Sequence, residues 1–150
     1  MAQQRRVHAK PIVHRVARAR GDLRLKAETV RAIRAGRVEK GDPIGTGELA
    51  GLLAMKRTSE LIPHCHAVPL TGSRVEIAVT PRGVRADAEA ETLGRTGVEM
   101  EALVGASVAL LTVWDMVKYL EKDGRGAYPT TRLGPVRVVA KEKRPLPEDR

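Results

Sequence analysis

The chain has 150 residues, 42% hydrophobic and 30% charged, and its 27 Lys and Arg outnumber 18 Asp and Glu for a net charge of +9. That length suits one domain, 1–150, with short flexible termini expected at 1–9 and 143–150, while the polar, basic start and the lack of any run near 18 apolar residues argue against secretion or a membrane span. Cys65 stands alone, which excludes an intrachain disulfide and suits the cytoplasm, and the cation excess implies an anionic partner.

Residues 11–20 partly alternate apolar and polar, which predicts a strand ending at Gly21-Asp22. A short helix is expected over 26–35, with Val30 and Ile33 inward and Gly36 as its stop. Lys40-Gly41-Asp42-Pro43 reads as a turn. A second helix is predicted over 46–60, with Leu49, Leu52 and Leu53 as its apolar stripe and Pro63 as its breaker. Val75, Ile77 and Val79, the Pro81-Arg82-Gly83 turn, then Val84, Ala86, Ala88 and Ala90 spell a hairpin with one buried face. A long helix follows over 97–120, uncharged throughout 102–114, and 134–141 returns to strand. The order is βαββαβ, an α+β ferredoxin-like sandwich whose antiparallel sheet carries its helices on one face.

The densest chemistry lies in Lys56-Arg57-Thr58-Ser59-Glu60-Leu61-Ile62-Pro63-His64-Cys65-His66. All of His64, Cys65 and His66 are competent zinc ligands, yet three consecutive residues converge poorly on a tetrahedral ion and no second Cys completes a set. The remaining alternatives are a structural loop or the wall of an acid/base pocket. Asp115 and Lys118, three apart on the long helix, are either a surface ion pair or a functional pair. Their place beside the uncharged stretch is expected to move both pKa values toward neutrality. Glu99 and Glu101 in the first turn complement the helix dipole or act as ligands. Lys40, Lys56, Arg57, Arg95, Arg137 and Lys141 suit a polyanionic ligand better than duplex DNA, and Lys40-Gly41-Asp42 lacks the P-loop frame.

Together these segments resemble the cyclic pyranopterin monophosphate synthase family, also called molybdenum cofactor biosynthesis protein C. The matching stretches are Lys40-Gly41-Asp42, Ala50-Gly51 through Pro63, Cys65-His66, Thr96-Gly97-Val98-Glu99-Met100-Glu101-Ala102-Leu103, Asp115-Met116 with Lys118, and Gly134-Pro135-Val136-Arg137 through Ala140-Lys141. The resemblance implies a cytoplasmic lyase of pterin chemistry. Its substrate would be GTP-derived: 3′,8-cyclo-7,8-dihydroguanosine 5′-triphosphate becomes cyclic pyranopterin monophosphate plus pyrophosphate. It implies catalytic roles for Asp115, Lys118, Lys40 and His66, and substrate contacts at His64, Cys65, His66, Met100, Glu101 and Lys141, to which Lys56 is added from the cation set. It further implies the ferredoxin-like fold and a homohexamer, a trimer of dimers with active sites between subunits. No protein-bound metal or organic cofactor is expected, only Mg2+ accompanying the triphosphate. His64 stands where Leu is common in the family, Ala67 replaces a proline, Glu48 a frequent Arg and Arg95 a common Lys, and the tail from Glu142 lacks the family's Gly-rich ending.

Two rivals remain. A basic RNA-binding module on a ferredoxin-like sheet would explain the charge, although Trp114, Tyr119 and Tyr128 are the only aromatic residues to stack bases. Cations in a stripe on the sheet would favour it; cations gathered around His66 and Asp115 would favour the enzyme. The second rival is a zinc-dependent hydrolase. The nearly all-round apolar helix predicts burial against a second subunit, with the neighbouring chain contributing Lys40 or the 64–66 segment to a site shared with Asp115 and Lys118.

Overall fold

The structure, a computed structural model, describes residues 1–146. Strand β1 (Val13–Arg24) buries Val13, Ala17, Ala19 and Leu23 and turns the alternate residues to the opposite face. It does not end at Gly21. A Cβ there would lie 2.8 Å from Leu110 and 2.9 Å from Val136, so the glycine admits a close helix approach while the strand runs on. Helix α1 (Ala27–Arg34) buries Thr29, Val30 and Ile33, much as the sequence predicts.

Helix α2 (Pro43–Met55) begins three residues earlier than expected. The Asp42 carboxylate accepts from the Ile44 amide at 3.0 Å and Pro43 occupies the first turn, a cap-and-proline start. Nor does it continue to residue 60. It stops at Met55, and a separate short turn, α3 (Thr58–Leu61), follows with the Thr58 hydroxyl donating to the Met55 carbonyl. The leucine stripe faces out: Leu49 and Leu53 are 58% and 53% exposed, while Gly47, Gly51 and Met55 face in. The reason is a backbone contact. A Cβ on Gly51 would meet the Gly105 carbonyl at 2.6 Å, so the helices touch through small residues and the leucines are left outside.

Strands β2 (Gly72–Thr80) and β3 (Gly83–Gly94) form the predicted hairpin. Helix α4 (Glu99–Glu121) is long and apolar enough to cross a membrane by length and composition, yet it packs on the sheet. Its Ala102, Ala106, Ala109, Leu110, Val113 and Val117 lie in the core with Ala86, Ala88 and Ala90 of β3. Strand β4 (Arg132–Arg144) reaches past the predicted 134–141, because β1 offers partners as far as His14 for Arg144 and Arg15 for Lys143. Residues 143 and 144, assigned from sequence to the terminus, are therefore strand; 147–150 lie outside the described residues. The sheet order is β2-β3-β1-β4, antiparallel throughout, with α2 and α4 on one face. This is the α+β, ferredoxin-like arrangement read from the sequence. The edge strand β2 is guarded by Glu48, whose carboxylate accepts from the Ile77 amide at 3.0 Å.

Candidate functional site

At the C-terminal half of α4, Asp115 receives a hydrogen bond from Lys118 Nζ at 2.7 Å. Lys40, in the turn before α2, reaches the same residue: its Nζ lies 3.8 Å from the carboxylate and 3.4 Å from the Asp115 carbonyl. Residues 75 positions apart thus meet in one chain. Of the two alternatives expected from a neighbouring chain, Lys40 or the 64–66 segment, Lys40 is therefore already supplied by the same chain. The expected drift of pKa values toward neutrality is corrected. The Lys118 hydrogen bond and charge, with Lys40 behind them, hold Asp115 below the usual carboxylate range, and Asp115 in turn raises Lys118. Both side chains are substantially exposed, at 60% and 39%, so desolvation opposes the pairing less than the hydrogen bond and charge favour it.

A second group forms at the N-terminal end of α4. Glu101 is only 3% exposed, and burial pushes its carboxyl above the ordinary value. The Cys65 thiol donates to Glu101 Oε1 at 3.7 Å, while Oε2 is buried without a partner among the described residues. Burial first, then the Glu101 charge, pushes the thiol up to about 11. Cys65 is therefore a donor and not a nucleophile near neutral pH. Lys56 lines a hollow of about 220 Å³ together with Thr58, Ser59 and Glu101. Lys141, on β4, pairs with Glu99 at 2.7 Å; burial works to raise that carboxyl, but the lysine outweighs it and holds Glu99 below its ordinary range. Met100 projects outward at 42% exposure. His66 Nε2 lies 2.5 Å from the Arg5 carbonyl. A carbonyl only accepts, so Nε2 carries the proton and a neutral ring keeps Nδ1 as its acceptor. His64 and His66 both open onto a cleft of about 510 Å³ shared with the N-terminal arm.

The predicted site residues therefore fall into two groups. Glu101 and Asp115 are fourteen positions apart on one helix, or roughly 21 Å at about 1.5 Å per residue. Asp115, Lys118 and Lys40 sit together; His64, Cys65, His66, Met100, Glu101, Lys56 and Lys141 gather at the other end. Among the described residues no three His, Cys, Asp or Glu side chains are placed to share a metal ion. Sequence reading missed Arg5, Arg6 and Lys10, which an uninformative arm gave no reason to place beside the histidines, and treated Glu99 only as a dipole partner or ligand. It also missed Glu121. That carboxylate is fully buried and accepts from the Lys26 amide and from the hydroxyls of Thr29 and Thr131, tying α4 to α1 and to the start of β4.

Another hollow, about 470 Å³ at the Pro81-Arg82 turn, is lined by Arg24, Arg82 and an Arg85 already paired with Asp22. It holds none of the predicted site residues. The open face of the sheet carries cross-strand ion pairs, Arg18 with Glu89 at 2.6 Å and Arg20 with Asp87 at 2.8 Å, so these two cations are matched by carboxylates. Trp114 and Tyr119 lie on α4, and Tyr128, edge-on to Trp114, follows it. None of the four strands carries an aromatic residue, so the sheet lacks the stacking pair that an RNA-binding surface of this fold uses.

The MoaC family profile matches residues 5–144. A protein of Pyrococcus abyssi named "probable cyclic pyranopterin monophosphate synthase" is 51% identical over 134 residues, covering 89% of this chain and 84% of its own. One of the same name from Methanosarcina acetivorans is 53% identical over 131 residues, 87% of this chain and 83% of its own. A Methanothermobacter thermautotrophicus protein, 47% identical over 137 residues, covers 91% of this chain and 86% of its own; it is named "probable cyclic pyranopterin monophosphate synthase accessory protein".

Proposed function

The chain belongs to the MoaC family, and from that premise we infer that it is a lyase of molybdenum cofactor biosynthesis. It converts 3′,8-cyclo-7,8-dihydroguanosine 5′-triphosphate to cyclic pyranopterin monophosphate and pyrophosphate. The observation that carries the catalytic reading is the Lys40–Asp115–Lys118 cluster, assembled from two segments remote in sequence. A carboxylate set between two ammonium groups suits the reaction in two ways. Asp115 and Lys118 exchange protons as the purine is rebuilt, and the lysines stabilise negative charge while a hydroxyl oxygen displaces pyrophosphate from the α-phosphorus.

In an isolated chain the cluster is exposed, and its ion pairing drives the two pKa values apart, which is the wrong direction for proton transfer near neutral pH. Burial beneath a second subunit would reverse that trend. Support comes from the helical layer, where Leu49 and Leu53 of α2 and Met100 and Leu111 of α4 are all exposed. We assign this face to a subunit interface and the assembly to a cytoplasmic homohexamer, a trimer of dimers. The Asp115 end of α4 from one chain faces the His66–Glu101 end of another, with His64, Cys65, Met100, Lys56 and Lys141 contacting substrate. The protein's own side chains supply the acid/base chemistry, and Mg2+ enters with the triphosphate. The test is incubation of metal-stripped protein with enzymatically generated cyclic dihydro-GTP and excess Mg2+, followed by oxidation of the product to a fluorescent pterin. Pterin formation supports the reading; its absence from intact oligomer overturns it.

A further inference from the structure

The N-terminal arm carries three cations that no part of the catalytic reading uses. Arg5, Arg6 and Lys10 line the cleft of about 510 Å³ that also exposes His64, His66 and Thr96. Its volume lies within the range of small-molecule sites, roughly 300–1,000 Å³. None of the residues lining it is acidic, and among the described residues no carboxylate pairs with Arg5, Arg6 or Lys10. Of the first-turn acids of α4, Glu99 is paired with Lys141 and Glu101 takes the Cys65 thiol on one of its two oxygens.

One hydrogen bond ties the arm to the loop after α3, and a second shapes the arm itself. His66 donates to the Arg5 carbonyl, and the Lys10 amide donates to the Val7 carbonyl at 3.0 Å, which turns the chain back so that Lys10 joins the arginines on the same cleft. We propose that this cleft is a phosphate-chain site, in which Arg5, Arg6 and Lys10 hold the β- and γ-phosphates of the substrate and then the departing pyrophosphate. Two guanidinium forks offer paired donors to non-bridging oxygens, and the lysine adds a mobile point charge. A single carboxylate or monophosphate would leave much of that charge unmatched; a di- or triphosphate matches it. His64, where the family commonly has Leu, then contributes a hydrogen-bonding ring to the same wall. The site rests on the reading of the substrate as a nucleoside triphosphate derivative, but the probe need not.

Isothermal titration of inorganic tripolyphosphate into the full-length protein tests it directly. Arg5→Ala/Arg6→Ala is expected to weaken binding at least tenfold, whereas Arg31→Ala/Arg34→Ala, which removes the same charge from the exposed side of α1, leaves it unchanged. With cyclic dihydro-GTP, the arm variant is expected to lower kcat/KM at least tenfold through both KM and kcat, because cations that hold the phosphate chain also stabilise the charge developing on the departing pyrophosphate. Equal weakening by both double variants, or wild-type binding by the arm variant, overturns the site even if turnover is normal. Arm-dependent tripolyphosphate binding in a protein that makes no pterin leaves the anion site standing and overturns the catalytic reading instead.

Discussion

Glu101 and Glu121 are both carboxylates buried on α4, one at each end, and they differ in what surrounds them. Glu121 accepts from one backbone amide and two threonine hydroxyls supplied by α1 and the start of β4. Glu101 has one thiol donor and an oxygen with no partner among the described residues. Burying a carboxylate is costly unless its lone pairs are met. The first arrangement meets that cost within the chain and holds the fold; the second leaves a polar vacancy where the candidate substrate contacts converge. One helix therefore carries a structural acid and a binding acid, separated only by the company each keeps.

The largest expected effect breaks the structural member. Glu121→Ala strands buried donors at Thr29 and Thr131 and should lower the unfolding free energy by about 4 kcal/mol, read as a shift in urea midpoint. Loss of less than about 1 kcal/mol would show that the network is not holding the helix end. Next comes catalysis at the exposed pair. Asp115→Asn and Lys118→Ala should each cut turnover at least about a hundredfold, the low end for acid/base groups. Near-normal turnover in either variant would return the pair to an ordinary surface contact.

Glu101 sharpens the contrast through pH. Its folded-state pKa is raised by burial, so between the ordinary carboxylate range and that raised value the folded chain holds a proton the unfolded chain has lost. Stability therefore falls as pH rises through that window. Glu101→Gln should remove this slope in urea titrations run at stepped pH; a slope unchanged in the variant would contradict the assignment. The smallest effect concerns Cys65. With the thiol pushed up to about 11, roughly a thousandth is ionised at pH 8, so iodoacetamide should label it slowly. Glu101→Gln should speed labelling a fewfold by removing the neighbouring charge.

The fold was legible because its signals are local. Alternation from Val75 to Ala90 marks the hairpin, and the helical run before Asp115 marks α4. The start of α2 was legible too, in Asp42-Pro43, but the turn composition of Lys40-Gly41 masked it. The leucine stripe misled for a physical reason: an apolar stripe usually faces inward, yet Gly51 and Gly105 let backbones touch and so leave Leu49 and Leu53 outside. Glu121 gave no signal, since its partners Thr29 and Thr131 come from other elements and an acid at a helix end reads as solvated. For the site, residue types and the family resemblance named the groups. Only three dimensions put Lys40 beside Asp115 and set His66 at the other end of the helix.

That separation is the claim most worth testing. Co-expression of Asp115→Asn and His66→Ala chains, each inactive alone, yields mixed oligomers in which some interfaces pair an intact Asp115 end with an intact His66 end. If the site is composite, activity should return to roughly a quarter of wild type for random dimer pairing. Lys40→Ala mixed with Asp115→Asn should recover nothing, because those two residues share one cluster in one chain. Mixed oligomers of Asp115→Asn and His66→Ala that stay inactive, or a fully active monomer by light scattering, would contradict a site built from two chains.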